Sequence, residues 1–321
     1  MFKADYLIEY INKAVNSISY PAQPRGLYEP IEYTLSGGGK RLRPLLTLAT
    51  CSALGGDIGA AKNQAIGVEI FHNFTLLHDD VMDKADVRRG RPTVHIKWNE
   101  STAILSGDAM LTLATQYMSR CDAAKTWEVM TLFNRTAMEV YEGQQYDMDF
   151  ETRDDVTVEE YLKMIRLKTS VLLGCACELG AIMAGALDSE RKAFYDFGIK
   201  LGMAFQLQDD YLDTYGDPTV FGKKIGGDIL NDKKTWLLIS AMNEDNSGGL
   251  KQLIGNNNIT PDEKIARVKA VYNTLNLGER CHELIDLYAS EALTTLNRAR
   301  IPDDAMDFFT TLIDATRTRV Q

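Results

Sequence analysis

Only five of the 321 residues are cysteine, eight are proline and four are histidine. The cysteines, at 51, 121, 175, 177 and 281, are odd in number and form no C-x-x-C, which excludes a disulfide framework or a zinc ribbon. Cys175 and Cys177 are two apart and would face different ways on a helix. A reducing cytoplasm is the expected compartment. Positive charge is also short. With 35 Lys+Arg against 45 Asp+Glu the net charge is −10, so a general nucleic-acid surface is not expected. No clean apolar run is long enough for a bilayer. The nearest, SVLLGCACELGAIMAGAL at 170–187, is interrupted by Glu178 and flanked by Lys168 and Arg191. It reads as a buried helix packed closely through Gly and Ala, and no membrane span is expected. The opening MFKADYLIEYINKAV carries Asp5 and Glu9 where a signal peptide would need an apolar stretch. Alternating Val, Ile and Thr bounded by turn dipeptides is absent too, so strands are not expected.

What is present is helical. Between Pro92 and Pro218 there is no proline. Apolar residues recur at three- and four-residue steps, as in Tyr6/Ile8/Tyr10/Ile11, Ala65/Val68/Phe71/Leu76 and Leu105/Met110/Leu113/Tyr117. Several segments are apolar most of the way round, which suits central helices of a large bundle. Loops are marked by Gly37 to Gly39, DVRRGRP at 86–92, YGDPTVFGKKIGGD at 215–228 and EDNSGG at 244–249. No solenoid repeat, composition shift or flexible linker divides the chain. The expectation is one all-α domain spanning residues 1–321.

One short motif occurs twice. HDDVMD places Asp79, Asp80 and Asp83 at the end of one helix, and QDDYLD places Asp209, Asp210 and Asp213 at the end of another. The first and last Asp of each set are four apart, on one helix face, with Cβ atoms about 5–6 Å apart. Like charges at that spacing cost stability, and Asp is a poor helix-interior residue. Two solvated helix ends would be the plain alternative, yet each motif follows an apolar stretch: Phe71, Phe74, Leu76 and Leu77, then Met203, Ala204, Phe205 and Leu207. Clustered acids beside apolar surface point to hard divalent cations, and magnesium in particular bridges carboxylates to substrate phosphates.

Cations suited to phosphate are clustered as well. GGGKRLRP supplies Lys40, Arg41 and Arg43 beside a glycine turn that lets backbone N–H groups approach an anion. RRGRP supplies Arg88, Arg89 and Arg91 just beyond the first Asp set, and arginine forks suit phosphate oxygens. Lys223, Lys224, Lys233 and Lys234 bracket the loop after the second. Two anionic groups, one clamped through metal and one held directly, would use them all.

The order GGGKRLRP, HDDVMD with RRGRP, KT at 168–169, FQLQDDYLD and FGKKIGGD…KKTW resembles the trans-isoprenyl diphosphate synthase family. The resemblance covers roughly residues 30–240 by motif. It implies the isoprenoid synthase fold, a large helical bundle around a deep central cavity, and a homodimer. It implies a cytoplasmic, magnesium-dependent prenyltransferase with three Mg2+ ions, condensing isopentenyl diphosphate head-to-tail with dimethylallyl, geranyl or farnesyl diphosphate. Asp79, Asp83 and Asp209 would ligate metal directly, and Asp80, Asp210 and Asp213 would assist through water or from behind. Arg88, Lys168, Lys223 and Lys233 would hold the allylic diphosphate, and Lys40, Arg43, His72 and Arg89 the isopentenyl diphosphate. Thr169 and Gln206, with Lys168, would line the reacting carbons.

Product length is the finest expectation. Phe74 and Thr75 lie five and four residues before Asp79, a little more than one turn away, and one ring beside a small residue suggests a floor at moderate depth. In the family this pattern accompanies twenty-carbon products, whereas YGDPTVFGK is similar to fifteen-carbon enzymes. Geranylgeranyl diphosphate is favoured over farnesyl. Two other chemistries are open to the sequence. A terpene cyclase of the same fold would leave Lys40, Arg43 and Arg89 superfluous. A di-iron carboxylate bundle would use E-x-x-H, which occurs as Glu69/His72 and Glu279/His282, but would leave six motif aspartates idle. An inactive subunit of a heteromeric synthase should have lost aspartates or arginines, and here both sets are complete.

Overall fold

The computed structural model describes residues 4–216, 225–256 and 258–318. The chain folds into two compact units. The first comprises residues 1–135, 175–195 and 299–306, the second 136–174, 196–298 and 307–321. Helices α7 (Ala123–Glu151), α9 (Val171–Ala184), α10 (Asp188–Tyr215) and α15 (Asp303–Arg317) contribute residues to both.

In the first unit, α1 (Ala4–Asn16) buries Leu7, Ile11 and Val15 at four-residue steps; of the set read from the sequence, Tyr6, Ile8, Tyr10 and Ile11, only Ile11 is buried, and Tyr6 is exposed. Helix α2 (Arg25–Leu35) buries Ile31 and Leu35, and α3 (Leu42–Ala53) buries nearly all of its length. The long α4 (Ile58–Met82) starts at Asp57, whose carboxylate accepts from Gly59 N at 2.9 Å. It packs along α3 and α6 (Glu100–Met118), burying Ile66, Val68, Ile70, Phe71 and Phe74. A Cβ on Gly107 of α6 would lie 2.1 Å from His78 Nε2, so only glycine leaves room for that ring. Short helix α5 (Val94–Lys97) follows a two-residue ladder, β1 (Val87–Arg88) with β2 (Arg91–Pro92). This hairpin is the one departure from an all-helical reading among the described residues. Two residues per strand are too few to show alternation, and what makes it is the turn: Arg89 and Gly90 both have positive φ, 52° and 72°.

In the second unit, α8 (Val158–Ile165) begins with a reciprocal cap between Thr157 and Glu160 and runs into a π-turn at Arg166–Ser170. Helix α11 (Gly227–Leu230) is one turn long; α12 (Trp236–Glu244) is capped by Thr235, and α13 (Pro261–Thr274) by Thr260 with Pro261 at its first position. With α14 (Leu277–Leu296) they enclose a core of Tyr161, Leu207, Leu238, Val268, Tyr272 and Ile285. The continuous stretch Val158–Ala184 is apolar and long enough by composition to cross a membrane, and 78% of its apolar window is buried, as in a core helix.

Candidate active site

The first aspartate motif forms the last turn of α4, with Asp83 as its C-cap. Asp80 is buried, 5% exposed, and accepts from Arg88 Nε at 2.7 Å. Burial pushes its carboxyl up, against the opposing pull of Arg88. Asp79 is half-buried and Asp83 exposed. The middle acid is thus tied to the protein, and the outer two share the helix face.

The loop before α3, the first turn of α3 and the hairpin after α4 supply the cations. Arg89 donates to Gly38 O, and Gly39, at φ 128°, gives it room, since a Cβ there would lie 2.8 Å from the guanidinium. Arg43 Nη1 meets His72 Nε2 at 3.1 Å. A guanidinium has no acceptor, so the imidazole nitrogen accepts and its proton sits on Nδ1. Burial, then the charges of Arg43, Arg89, Arg88 and Arg41, hold His72 well below the usual imidazole range. Burial likewise pushes Arg43 down to about 10, with Glu69 opposing, and lowers Arg89. Arg41 takes another course: at φ 49° it turns inward, and its Nη1 meets Glu69 Oε1 at 2.5 Å. Lys40 is exposed. Phe74 is buried in a run of rings, 5.5 Å from Phe71 and 4.8 Å from His78, while Thr75 Oγ1 donates to His72 O.

The second motif lies within α10. Asp210 is buried and accepts from Gln206 Nε2 at 3.0 Å and from the Tyr161 hydroxyl. Burial pushes its carboxyl above the ordinary range, while Lys233, Tyr161 and Gln206 draw it down. Gln206 Oε1 accepts from Thr169 Oγ1 at 2.9 Å, so Thr169, Gln206, Asp210 and Tyr161 form one chain of hydrogen bonds. Asp213 Oδ2 accepts from Asp228 N at 2.8 Å, and Asp209 is half-buried. Lys168, in the π-turn, reaches Asp147 Oδ2 on α7 at 2.5 Å. The turn fits against α7 because residue 143 is glycine; a Cβ there would lie 2.3 Å from Lys168 N. Lys233 is exposed, and Lys223 lies outside the described residues.

Sequence reasoning grouped Arg43 and His72 with Lys40 and Arg89, and Thr169 with Gln206; Arg43 contacts His72, and Thr169 contacts Gln206. It missed Asp147 and Tyr161. An Asp in the interior of α7 was a signal for the first; nothing local marks the second. The di-iron reading fails: Glu69 Oε1 is taken by Arg41 and Asn73, and His282 packs against Tyr211 with centroids 4.4 Å apart and the rings tilted by 60°.

Among the described residues no three acidic, histidine or cysteine side chains converge to hold a metal unaided. That accords with the donor chemistry, because the middle acids are engaged by protein partners. A hard cation at either motif would take its remaining oxygens from a phosphate or water, as magnesium does.

Residues 24–275 match the sequence profile described as Polyprenyl synthetase. The chain belongs to the polyprenyl synthetase family. This polyprenyl synthetase is 37% identical over 265 residues to the geranylgeranyl diphosphate synthase of Methanosarcina mazei, covering 82% of this chain and 81% of that one. It is 42% identical over 241 residues to a short chain isoprenyl diphosphate synthase of Methanocaldococcus jannaschii, covering 74% and 73%. Among solved structures, a geranylgeranyl pyrophosphate synthase superposes with a TM-score of 0.95 at 46% identity over 99% of both chains. The synthetase therefore has the all-α isoprenoid synthase fold.

Proposed function

We propose that this polyprenyl synthetase is a short-chain prenyltransferase that joins isopentenyl diphosphate head-to-tail to an allylic diphosphate and makes geranylgeranyl diphosphate, with farnesyl diphosphate as the shorter alternative. Membership of the family and the names of its relatives support the reaction class. The observation that carries the reading is the cation set of the first unit: Arg43 on a neutral His72, with Arg89 against the glycine loop. Arg43 is half-buried and Arg89 exposed, and guanidinium charges gathered this closely suit a strongly anionic group.

In this reading Lys40, Arg43, His72 and Arg89 hold isopentenyl diphosphate. His72 contributes as a neutral acceptor that orients Arg43. Arg88, Lys168, Lys223 and Lys233 hold the allylic diphosphate. Magnesium, three ions in all, would be held by Asp79, Asp83 and Asp209 with Asp80, Asp210 and Asp213 in support, and when bound it makes diphosphate a leaving group without a proton donor. Thr169 donates its hydroxyl proton to Gln206, which leaves its oxygen lone pairs to stabilise a developing allylic cation. Apolar side chains exclude water that would trap the cation as an alcohol. The proton lost from the isopentenyl carbon goes to the departing diphosphate. The terpene cyclase reading would leave the Arg43 and Arg89 cluster without a substrate.

The protein acts as a homodimer in this reading. Ile104 and Leu105 on α6 and Trp127 on α7, all in the first unit, are exposed, the last at 80%, and a second copy would cover them. Five free cysteines, four of them buried, accord with a reducing cytoplasmic compartment. The test is labelled isopentenyl diphosphate with each allylic starter, with and without a magnesium chelator, the products sized by chromatography. Twenty-carbon product that disappears with the chelator is expected. Cyclic hydrocarbon from the allylic substrate alone would favour the cyclase.

A further inference from the structure

Glu69 of α4 is left without chemistry once the di-iron reading is gone, yet it and His72 receive two arginines from the start of α3, Arg41 at its N-cap and Arg43 in its first turn. Arg41 meets Glu69, and Arg43, two residues on, meets His72, one helical turn further along α4. The Arg41–Glu69 pair is sealed: both side chains are 3% exposed. Arg41 also donates through Nη2 to Leu35 O at 2.7 Å and through Nε to Asn12 Oδ1 at 3.3 Å, and Glu69 Oε1 accepts from Asn73 Nδ2 at 2.8 Å. Arg41 adopts a left-handed backbone that a residue with a Cβ enters reluctantly, so the surrounding bonds hold it there.

We propose that the buried Arg41–Glu69 pair is a latch that positions Lys40 and the first turn of α3, with Arg43, for isopentenyl diphosphate. The pair rests on the reading of that diphosphate site given above. It touches no substrate; it acts through its neighbours. Fixing Arg41 to α4 fixes the chain direction at Lys40 on one side and Arg43 on the other. The Glu69 carboxylate also acts on the charges of Arg43 and Arg89, offsetting part of the repulsion between cations that wait together without their anion. Binding energy is then not spent on ordering the loop.

Removing Glu69 alone would strand a buried guanidinium and risk unfolding. The test therefore replaces both members, Arg41→Met with Glu69→Leu, and separately makes Arg41→Lys, which keeps the charge but not the fork. Arg43→Ala serves as the reference for the diphosphate site. Thermal midpoint, kcat and both KM values are measured on the full-length protein with magnesium. The paired variant is expected to melt near the wild type, to raise KM for isopentenyl diphosphate about tenfold and to leave the allylic KM unchanged; Arg41→Lys shows a smaller rise of the same kind. A folded paired variant with wild-type KM for isopentenyl diphosphate overturns the latch, as does an equal rise in both KM values, which would mark a general structural role. If the paired variant does not fold, Arg41→Lys decides by the same criteria. If Arg43→Ala itself leaves that KM unchanged, the assignment of the diphosphate site falls, and the latch with it.

Discussion

Tyr161 of α8 donates its hydroxyl proton to Asp210 of α10, and both side chains are buried. The bond closes a chain in which Asp210 also anchors Gln206, and Gln206 accepts from Thr169. A carboxylate so placed has its oxygens committed by the protein, and the direction of the Thr169 hydroxyl follows from bonds made further along the network. Buried polar networks of this kind are costly when partly satisfied and rigid when complete.

Tyr161→Phe keeps the ring and removes the donor. Loss of a hydrogen bond to a charged group is worth about 1.5–3 kcal/mol, so roughly a ten- to hundredfold fall in kcat is expected if the network orients Thr169. Steady-state kinetics and a thermal melt check it. A lowered melting point with unchanged kcat would confine Tyr161 to the core.

His72 predicts a pH signature. Its folded pKa lies well below the ordinary 6.5, through burial and the surrounding arginines. Below about pH 6.5 the unfolded chain binds a proton that the folded state refuses, so stability falls as pH drops through that range and is fully present above it. His72→Gln offers an amide oxygen to Arg43 and nothing to protonate. The gap in melting temperature between wild type and variant should shift in the variant's favour as pH falls from about 8 to about 5.

Asp79→Ala and Asp209→Ala should each cut magnesium-dependent turnover by several orders of magnitude with the fold intact. In the first, removing one of two like charges four apart on α4 relieves repulsion, so the melting point of the metal-free protein should hold or rise. Circular dichroism with a chelator present separates the two effects. Near-normal turnover in either variant would remove its motif from catalysis.

Phe74→Ala removes the ring between Phe71 and His78. The product should lengthen by one or more five-carbon units if this ring floors the cavity. Deleting a buried Phe costs about 3–5 kcal/mol, so a lower melting point accompanies the change. Product sized by chromatography is the decisive readout, and unchanged length would move the floor elsewhere.

Local spacing carried much of this protein. The three-residue steps of Ala65, Val68 and Phe71, all buried, are a helix before they are a core, because a 3.6-residue period is written in neighbouring positions. The two DD-x-x-D sets and their flanking cations were legible for the same reason: metal and phosphate sites need several groups of one type close together in the chain. Tertiary structure decided what each of those groups is used for. Arg41 and Arg43 are chemically identical and two residues apart, yet one is sealed against Glu69 and the other stands on His72. Asp80 and Asp210 look like their neighbours in sequence, but burial commits them to Arg88 and to Tyr161 with Gln206. Asp147 lies 21 residues before the lysine it holds, and Tyr161 lies 49 before its aspartate. Such pairings follow from which side chains the fold removes from water, since an unpaired charge there is too costly to keep, and no local pattern encodes that choice.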